Sequence, residues 1–548
     1  MVDAYLSYDN TFNHHHIRGL VGFNYEQDYQ KNLYSTMMDI QSNNLNDFNL
    51  GNHTEGVSLE GGQYEWALES FFGRVGYDWK GRYLAEVNLR WDASSRFRRD
   101  KRAAVFPSVS AGWRVSEEPF FAPIRNTFSN FKIRGSFGSL GNQAISSPYP
   151  YIQTLDLLQQ NYLVNGEFLT YASVSAPTAG NFTWETVVHG NLGLDLGFFN
   201  NRLTFAGDLY IRDTKDMLVP GKTLPGVYGA ASPKENAADL RTKGYELTLS
   251  WNDKFNLAGK PFTYGVSLAL GDNISKITKY DNPTKDFNVS QYYEGMTIGE
   301  IWGYQIDGLF QTDEEAAAYQ AEIDHSLIAK NILQTATGKY KGLKAGDPKF
   351  VDLDGNGRID DGEKTANNRG DMRVIGNSRP RYNYSGSINL GWNGFDISAF
   401  FQGVGRQHRY PDGNAMLFWG GYARPYSSFV PEHFLDDVWS EDNPDAYFPK
   451  LRGYAAQGDR HLAKVNNRYL QNTAYCRLKN LTVGYTLPVD LTRKARIDRV
   501  RVYFSGDNLV TWTALKSKYI DPEQFSTDGS ARVYPFAKTF SFGLDITF

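Results

Sequence analysis

The dominant pattern along this chain is a period of two. Phe540, Phe542, Leu544, Ile546 and Phe548 alternate with Ser541, Gly543, Asp545 and Thr547, which gives a strand one apolar and one polar face. Val75, Tyr77 and Trp79 alternate up to Lys80-Gly81, and Tyr83, Ala85, Val87, Leu89 and Trp91 then resume. This predicts a hairpin. Tyr382, Tyr384, Gly386, Ile388, Leu390 and Trp392 lead into Asn393-Gly394, and Phe395, Ile397, Ala399 and Phe401 return; Asn-Gly suits a turn with positive φ at both centres. Leu192, Leu194, Leu196 and Phe198 run to Asn200-Asn201, followed by Leu203, Phe205, Gly207, Leu209 and Ile211. The same period marks Ala4 to Tyr8, Ile17 to Phe23, Val105 to Val115, Phe131 to Phe137, Tyr245 to Trp251, Tyr264 to Leu270, Leu481 to Leu487 and Val500 to Phe504. Roughly sixteen strands are predicted.

Their connections are of two kinds. Some are tight turns, whereas residues 139–187, 271–298, 311–379 and 408–473 read as long loops. Structureless connections beyond about 15 residues are uncommon in compact soluble domains, but outer-membrane barrels pair short periplasmic turns with long extracellular loops. The fold predicted is therefore all-β: one transmembrane antiparallel β-barrel domain over 1–548, with aromatic residues flanking its short turns. Composition agrees. The 548 residues are 15% aromatic, yet mean hydropathy is −0.49 and no stretch of 18 or more residues is apolar. That excludes a helical membrane protein and leaves a barrel, whose inner side is polar. A net charge of −4 without a basic, aromatic-rich patch gives no case for nucleic acid. The lone Cys476 allows no intrachain disulfide. Within 311–379 one helix is predicted from Asp313 to about Asn331, on the Glu314, Glu315 and Ala316 to Ala318 run.

That same loop carries the sharpest chemical motif. Asp352-Leu-Asp354-Gly-Asn356-Gly357-Arg358-Ile-Asp360-Asp361-Gly362-Glu363 meets the calcium-loop pattern D-x-[DN]-x-[DN]-G-x5-E at every fixed position. Calcium takes 6 to 8 hard oxygens at about 2.3–2.6 Å. Asp352, Asp354 and Asn356 would supply side-chain oxygens, Arg358 its carbonyl, Asp360 a direct or water-mediated contact, and Glu363 a bidentate closure. The extended Lys349-Phe350-Val351 before it predicts an ion that staples a loop. Phe418, Trp419, Tyr422 and Tyr426 offer aromatic faces for sugar rings or peptide side chains, or else for packing within their loop. His14, His15 and His16 read as a polar hairpin tip rather than a metal site. Lys132 and Arg134 fall on inward strand positions. No nucleophile constellation and no phosphate-binding glycine loop is present, so no enzyme is predicted.

Several segments resemble the SusC/RagA-type TonB-dependent outer-membrane transporters. They include Phe131-Lys-Ile-Arg-Gly-Ser-Phe-Gly-Ser-Leu-Gly-Asn-Gln143, Trp184-Glu185 with Asn191-Leu-Gly-Leu-Asp-Leu-Gly-Phe-Phe-Asn-Asn-Arg-Leu203, and Thr214-Lys-Asp-Met-Leu218. Lys243-Gly-Tyr-Glu-Leu-Thr-Leu249, Gly303-Tyr304 with Asp307-Gly-Leu-Phe310, and Gly346-Asp-Pro-Lys-Phe-Val-Asp-Leu-Asp-Gly-Asn-Gly357 continue the likeness. Arg477-Leu-Lys-Asn-Leu-Thr-Val-Gly-Tyr485 and Val502-Tyr-Phe-Ser-Gly-Asp-Asn-Leu509 complete it. The resemblance implies a barrel of about 22 strands that imports glycan or peptide fragments across the outer membrane, capped by a SusD-like lipoprotein and energised through TonB. The family's signal peptide, TonB box and plug have no counterpart in this sequence, so it reads as the C-terminal part of such a transporter. A non-transporting structural or adhesion protein is the other class. Arg499, Arg501, Tyr503 and Ser505 opposite Val500, Val502 and Phe504 favour a wet interior and hence the importer.

Overall fold

The computed structural model describes every residue except 41, 43, 45–46, 53–55, 144, 146–148, 176, 179–181, 222–223, 230–231, 330–341, 429, 431, 518–519 and 526–535. Its principal element is a fifteen-stranded sheet whose strands follow one another in chain order. They are β1 (Val2–Phe12), β2 (His15–Thr36), β3 (Ser58–Trp79), β4 (Tyr83–Ser94), β5 (Ala103–Arg114), β6 (Phe128–Asn142), β7 (Glu185–Phe198) and β8 (Leu203–Pro220). There follow β9 (Lys234–Leu257), β10 (Lys260–Lys279), β11 (Arg381–Trp392), β12 (Phe395–Arg406), β13 (Tyr475–Thr486), β14 (Arg499–Thr513) and β15 (Thr539–Thr547). Every alternating segment read from the sequence falls on one of these strands, with Val115, Leu487 and Phe548 one residue beyond the strand ends. The Asn393-Gly394 turn has φ of 47° and 88°, so the dipeptide does what its chemistry allows.

The chain forms two compact units, residues 1–117 with 134–191 and 212–240, and residues 118–133 with 192–211 and 241–548. In the first, β4 shows why hydropathy misleads here. Val87 and Leu89 are exposed while Glu86, Asn88 and Arg90 between them are half-buried, the inverse of a soluble strand. Val75, Val87 and Val109 stand in register across β3, β4 and β5, building a continuous apolar surface. Such a surface is stable facing hydrocarbon. At the short-turn end the register brings Trp79, Tyr83 and Trp113 into one row, with Tyr83 and Trp113 stacked at 6.2 Å. Phe97, Phe106, Phe182 and Trp184 form a buried cluster in this unit.

In the second unit the row at the short-turn end is Phe262, Trp392, Phe395 and Tyr485. Both rows place amphipathic rings where an interfacial girdle requires them. The opposite face is polar and ion-paired. Arg501 on β14 reaches Asp396 on β12 at 2.6 Å and Asp545 on β15 at 3.1 Å. The first bond crosses β13 above Gly484, where a Cβ would lie 2.6 Å from both Arg501 and Asp396. A larger residue there would have to displace the Arg501 guanidinium or the Asp396 carboxylate.

The long connections are folded. Residues 271–298 and 311–379 are not separate loops: β10 continues to Lys279, and one excursion spans 280–380. Within it Glu300–Gly303 pairs with Arg373–Asn377, and Ile306–Leu309 with Pro348–Phe350. The predicted helix is real but shorter, α1 (Asp313–Glu322), followed by one turn, α2 (Ser326–Ala329). Thr312 caps α1 by accepting from the Glu315 amide at 3.1 Å, and three acidic residues occupy its first turn. Asn331 lies outside the described residues. The helix is packed on one side, since Ala316 and Tyr319 meet Phe310 and Leu343. Residues from three connections, including Tyr304, Phe350, Trp419, Tyr469 and Ile520, share a single buried cluster.

Candidate functional site

The loop block of the second unit holds both sites expected from the sequence. Its acidic turn is organised by its own carboxylates. Asp352 accepts from the amides of Gly355 at 2.8 Å, Asn356 at 3.3 Å and Gly357 at 2.8 Å. Burial opposes ionisation of Asp352, but these amides outweigh it and hold the carboxyl below its usual range. Asp354 and Asn356 follow in the same turn, with Asn356 accepting from the Arg358 amide at 2.9 Å. The Asp360 side chain pairs with the Arg358 guanidinium at 3.0 Å.

Glu363 does not close this turn. It is exposed, whereas Asp371 is buried and forms, with Asp352 and Asp354, a set of carboxylates whose oxygens lie within 4.8 Å of one another. The chain returns through Gly362 and Gly370, both at φ 56° and so close that a Cβ on the first would meet the amide of the second at 2.5 Å. Asp371 also accepts from the amides of Leu353 at 2.6 Å and Asp360 at 2.8 Å, which ties the two ends of the loop together. Burial raises its carboxyl above the usual range. Three carboxylate groups with oxygens within 4.8 Å of one another match the hard oxygen donors that calcium prefers. The sequence motif stops at its twelfth position and had no means of signalling Asp371.

The aromatic loop differs more from expectation. Phe418, Trp419 and Tyr422 are buried, Trp419 with 0% exposure, so none has a face for a ligand. Trp419 packs edge-on to Phe418 at 4.7 Å and Tyr469 at 5.4 Å, and its Nε1 donates to the Asp412 carbonyl at 3.0 Å. Tyr422 stacks on Phe448 at 5.6 Å. These three are the interior of the loop block, the alternative that their chemistry always left open. Tyr426 alone of the four stands clear, 79% exposed. Its ring lies 6.1 Å from that of Tyr454, over which the Arg460 guanidinium sits at 5.2 Å. Tyr454 and Arg460, some thirty residues on, carry no local sequence signal that could have paired them with Tyr426. The histidines near the start are engaged by hairpin neighbours, His15 with the Tyr77 hydroxyl and His16 with Asp9, both at 2.8 Å. Lys132 and Arg134 are half-buried beside the exposed Ile133, as inward positions on a barrel strand would be.

An apolar outer surface, aromatic rows at the short-turn end, an ion-paired opposite face and a folded block of long loops define an outer-membrane β-barrel protein. None of the described helices is long and apolar enough to cross a membrane; the strands do so. The family described as TonB dependent receptor-like, beta-barrel, matches residues 2–326, and the chain belongs to it. TonB-dependent receptor P3 of Formosa agariphila is 29% identical, covering 100% of this chain and 52% of the receptor. TonB-dependent receptor SusC of Bacteroides thetaiotaomicron is 28% identical over 88% of this chain and 44% of its own length. A solved structure of the RagAB peptide transporter shares the fold, with TM-score 0.73 and 23% identity over 100% of this chain and 55% of that one. The barrel is thus of the SusC/RagA type and resides in the outer membrane. The chain spans about half the length of the curated relatives it matches. Members of this family are transporters.

Proposed function

We propose that this chain is the barrel portion of an importer for oligosaccharide fragments, working with a SusD-like surface lipoprotein as lid and energised through TonB. The observation that carries this reading is the pairing of a polar, ion-paired inner face, held by Arg501, Asp396 and Asp545, with a folded loop block that presents an aromatic shelf. Tyr426 and Tyr454 would stack on sugar rings, and Arg460 would supply a donor at the rim. A peptide cargo is the second reading, favoured by the fold shared with a peptide transporter. In-frame deletion of the gene is expected to abolish growth on one class of oligosaccharide as sole carbon source and leave growth on glucose unchanged. Loss of growth on peptides alone would select the second reading, and wild-type growth on both would remove import.

We also propose that the acidic turn holds Ca²⁺ as a structural ion, with Asp352, Asp354 and Asp371 as carboxylate ligands. The ion's chemistry there is neutralisation: it offsets the mutual repulsion of three carboxylates, one of them buried. Asp352→Asn combined with Asp371→Asn should abolish calorimetric Ca²⁺ binding and expose the loop to protease near residue 355. Glu363→Gln should leave binding within about twofold, because that side chain lies outside the carboxylate set. Undiminished affinity in the double variant would sink the assignment.

A further inference from the structure

Between β12 and β13 the chain doubles back through a small loop, residues 452–464, whose underside belongs to the buried cluster of the second unit. Ala455, Ala456, His461 and Leu462 are buried, while Asp459 stands exposed beside Gly458, which takes φ 59°. The loop is seated by few contacts. The Ala456 amide donates to the Tyr422 carbonyl at 3.0 Å and the Leu462 amide to the Ala455 carbonyl at 3.1 Å. Two of the four buried side chains are single methyl groups, so little apolar area holds the loop down. The same loop carries Tyr454 and Arg460, and the Arg460 guanidinium donates to the Tyr454 carbonyl at 2.8 Å.

His461 is the anomaly on that underside. It is 3% exposed, and among the described residues neither ring nitrogen has a hydrogen-bond partner. A neutral imidazole carries one N–H and one lone pair, so two polar functions are buried here without compensation. The charged groups that act on it are two guanidiniums, Arg452 and Arg460. Carboxylates that could balance an imidazolium are engaged elsewhere, Asp347 with Arg452 at 2.8 Å and Asp459 with Lys464 at 3.8 Å. The Tyr410 hydroxyl donates to the Leu462 and Lys464 carbonyls at 2.7 and 3.0 Å, and burial keeps it un-ionised. Burial first, and then the two cations, push the pKa of the His461 ring down to about 3. In a lifted loop the ring meets water and returns to about 6.5. Between those values the lifted loop takes up a proton and the seated loop does not, so the seated form is favoured above about pH 6.5 and loses ground as pH falls. We infer that His461 makes the 452–464 loop an acid-released latch: protonation holds the loop off the buried cluster and separates Tyr454 and Arg460 from Tyr426. This equilibrium belongs to the loop and holds whatever the barrel imports.

The test is hydrogen exchange on the full-length receptor in detergent, with excess Ca²⁺ in every buffer and rates corrected for the pH dependence of intrinsic amide exchange. From about pH 7.5 to about pH 5 the opening constant of the 452–464 amides should rise about thirtyfold, the ratio set by a ring pKa of about 6.5 in the lifted loop, while β11 to β14 stay protected. His461→Leu should hold that constant within about threefold over the same range. His433→Gln, at a side chain that is 78% exposed, should keep the full rise. A wild-type change below about threefold would overturn the latch, and so would a rise of about thirtyfold that survives in His461→Leu. Should the leucine variant not fold, deuterium exchange at the C2 carbon of His461 in the wild-type receptor reads the ring directly. Its titration midpoint should lie below about pH 5, and a midpoint near about 6.5 would overturn the latch as well.

Discussion

Trp419→Ala is expected to open the loop block while leaving the sheet folded. The side chain is among the largest fully buried ones, and truncating a buried tryptophan costs about 3–5 kcal/mol in lost burial and cavity formation. The site has little capacity to collapse. Phe418, Phe448 and Tyr469 are themselves locked in ring contacts with one another and with Tyr422, and a Cβ on the neighbouring Gly420, at φ 51°, would meet Phe434 at 2.8 Å. The Pro411 and Asp412 carbonyls would also lose the indole donor. Hydrogen exchange across 410–469 should accelerate by at least about a hundredfold, with trypsin cutting at Arg424 or Arg460, while exchange in β11 to β14 stays slow. Equal protection in variant and wild type would show that the cluster does not hold the loops together.

The second large effect is expected at Arg477. Although it lies on β13, its side chain is 1% exposed. It binds Asp521, sits 3.0 Å from Glu523, donates to the Thr511 hydroxyl at 2.9 Å, and lies over the Phe536 ring at 5.1 Å. The connection between β14 and β15 is thereby strapped against the polar face of the sheet. Removing one partner of a buried ion pair costs about 3–5 kcal/mol because the other charge is left without compensation. Lys479, 2.8 Å from Glu523, retains part of that compensation and places Arg477→Met at the lower end of the range. The variant should release residues 514–525 to protease and hydrogen exchange without loss of heat-modifiable migration. Arg477→Lys should recover only part of the protection, since an ammonium cannot serve Thr511, Asp521 and Glu523 in one planar fork. Unchanged protection in the methionine variant would mean that the apolar contacts of Leu515, Ile520 and Phe525 hold the strap alone.

The difference between what was legible and what was not follows from sequence separation. Alternation is local, so Val87 and Leu89 betray their strand within a few residues, and Asn393-Gly394 its turn within two. The loop block depends on partners far apart, such as Asp347 with Arg452 at 2.8 Å and a separation of 105 residues. The short strands at 300–303 and 306–309 have no length over which a period could show, so the 280–380 excursion could not be read as one folded piece.

Of the site, the sequence alone determined the chemistry of its parts: an Asp/Asn/Gly turn that concentrates hard oxygens, a cluster of rings, and strands with one face for lipid and one for water. Only the tertiary structure decided which parts meet. It brought Asp371 rather than Glu363 beside Asp352 and Asp354, where two left-handed glycines fold the chain back on itself, and it enclosed Trp419 while leaving Tyr426 open. A ring that packs a core and a ring that receives a ligand are the same residue type. Which of them keeps a free face depends on side chains that arrive from elsewhere in the chain.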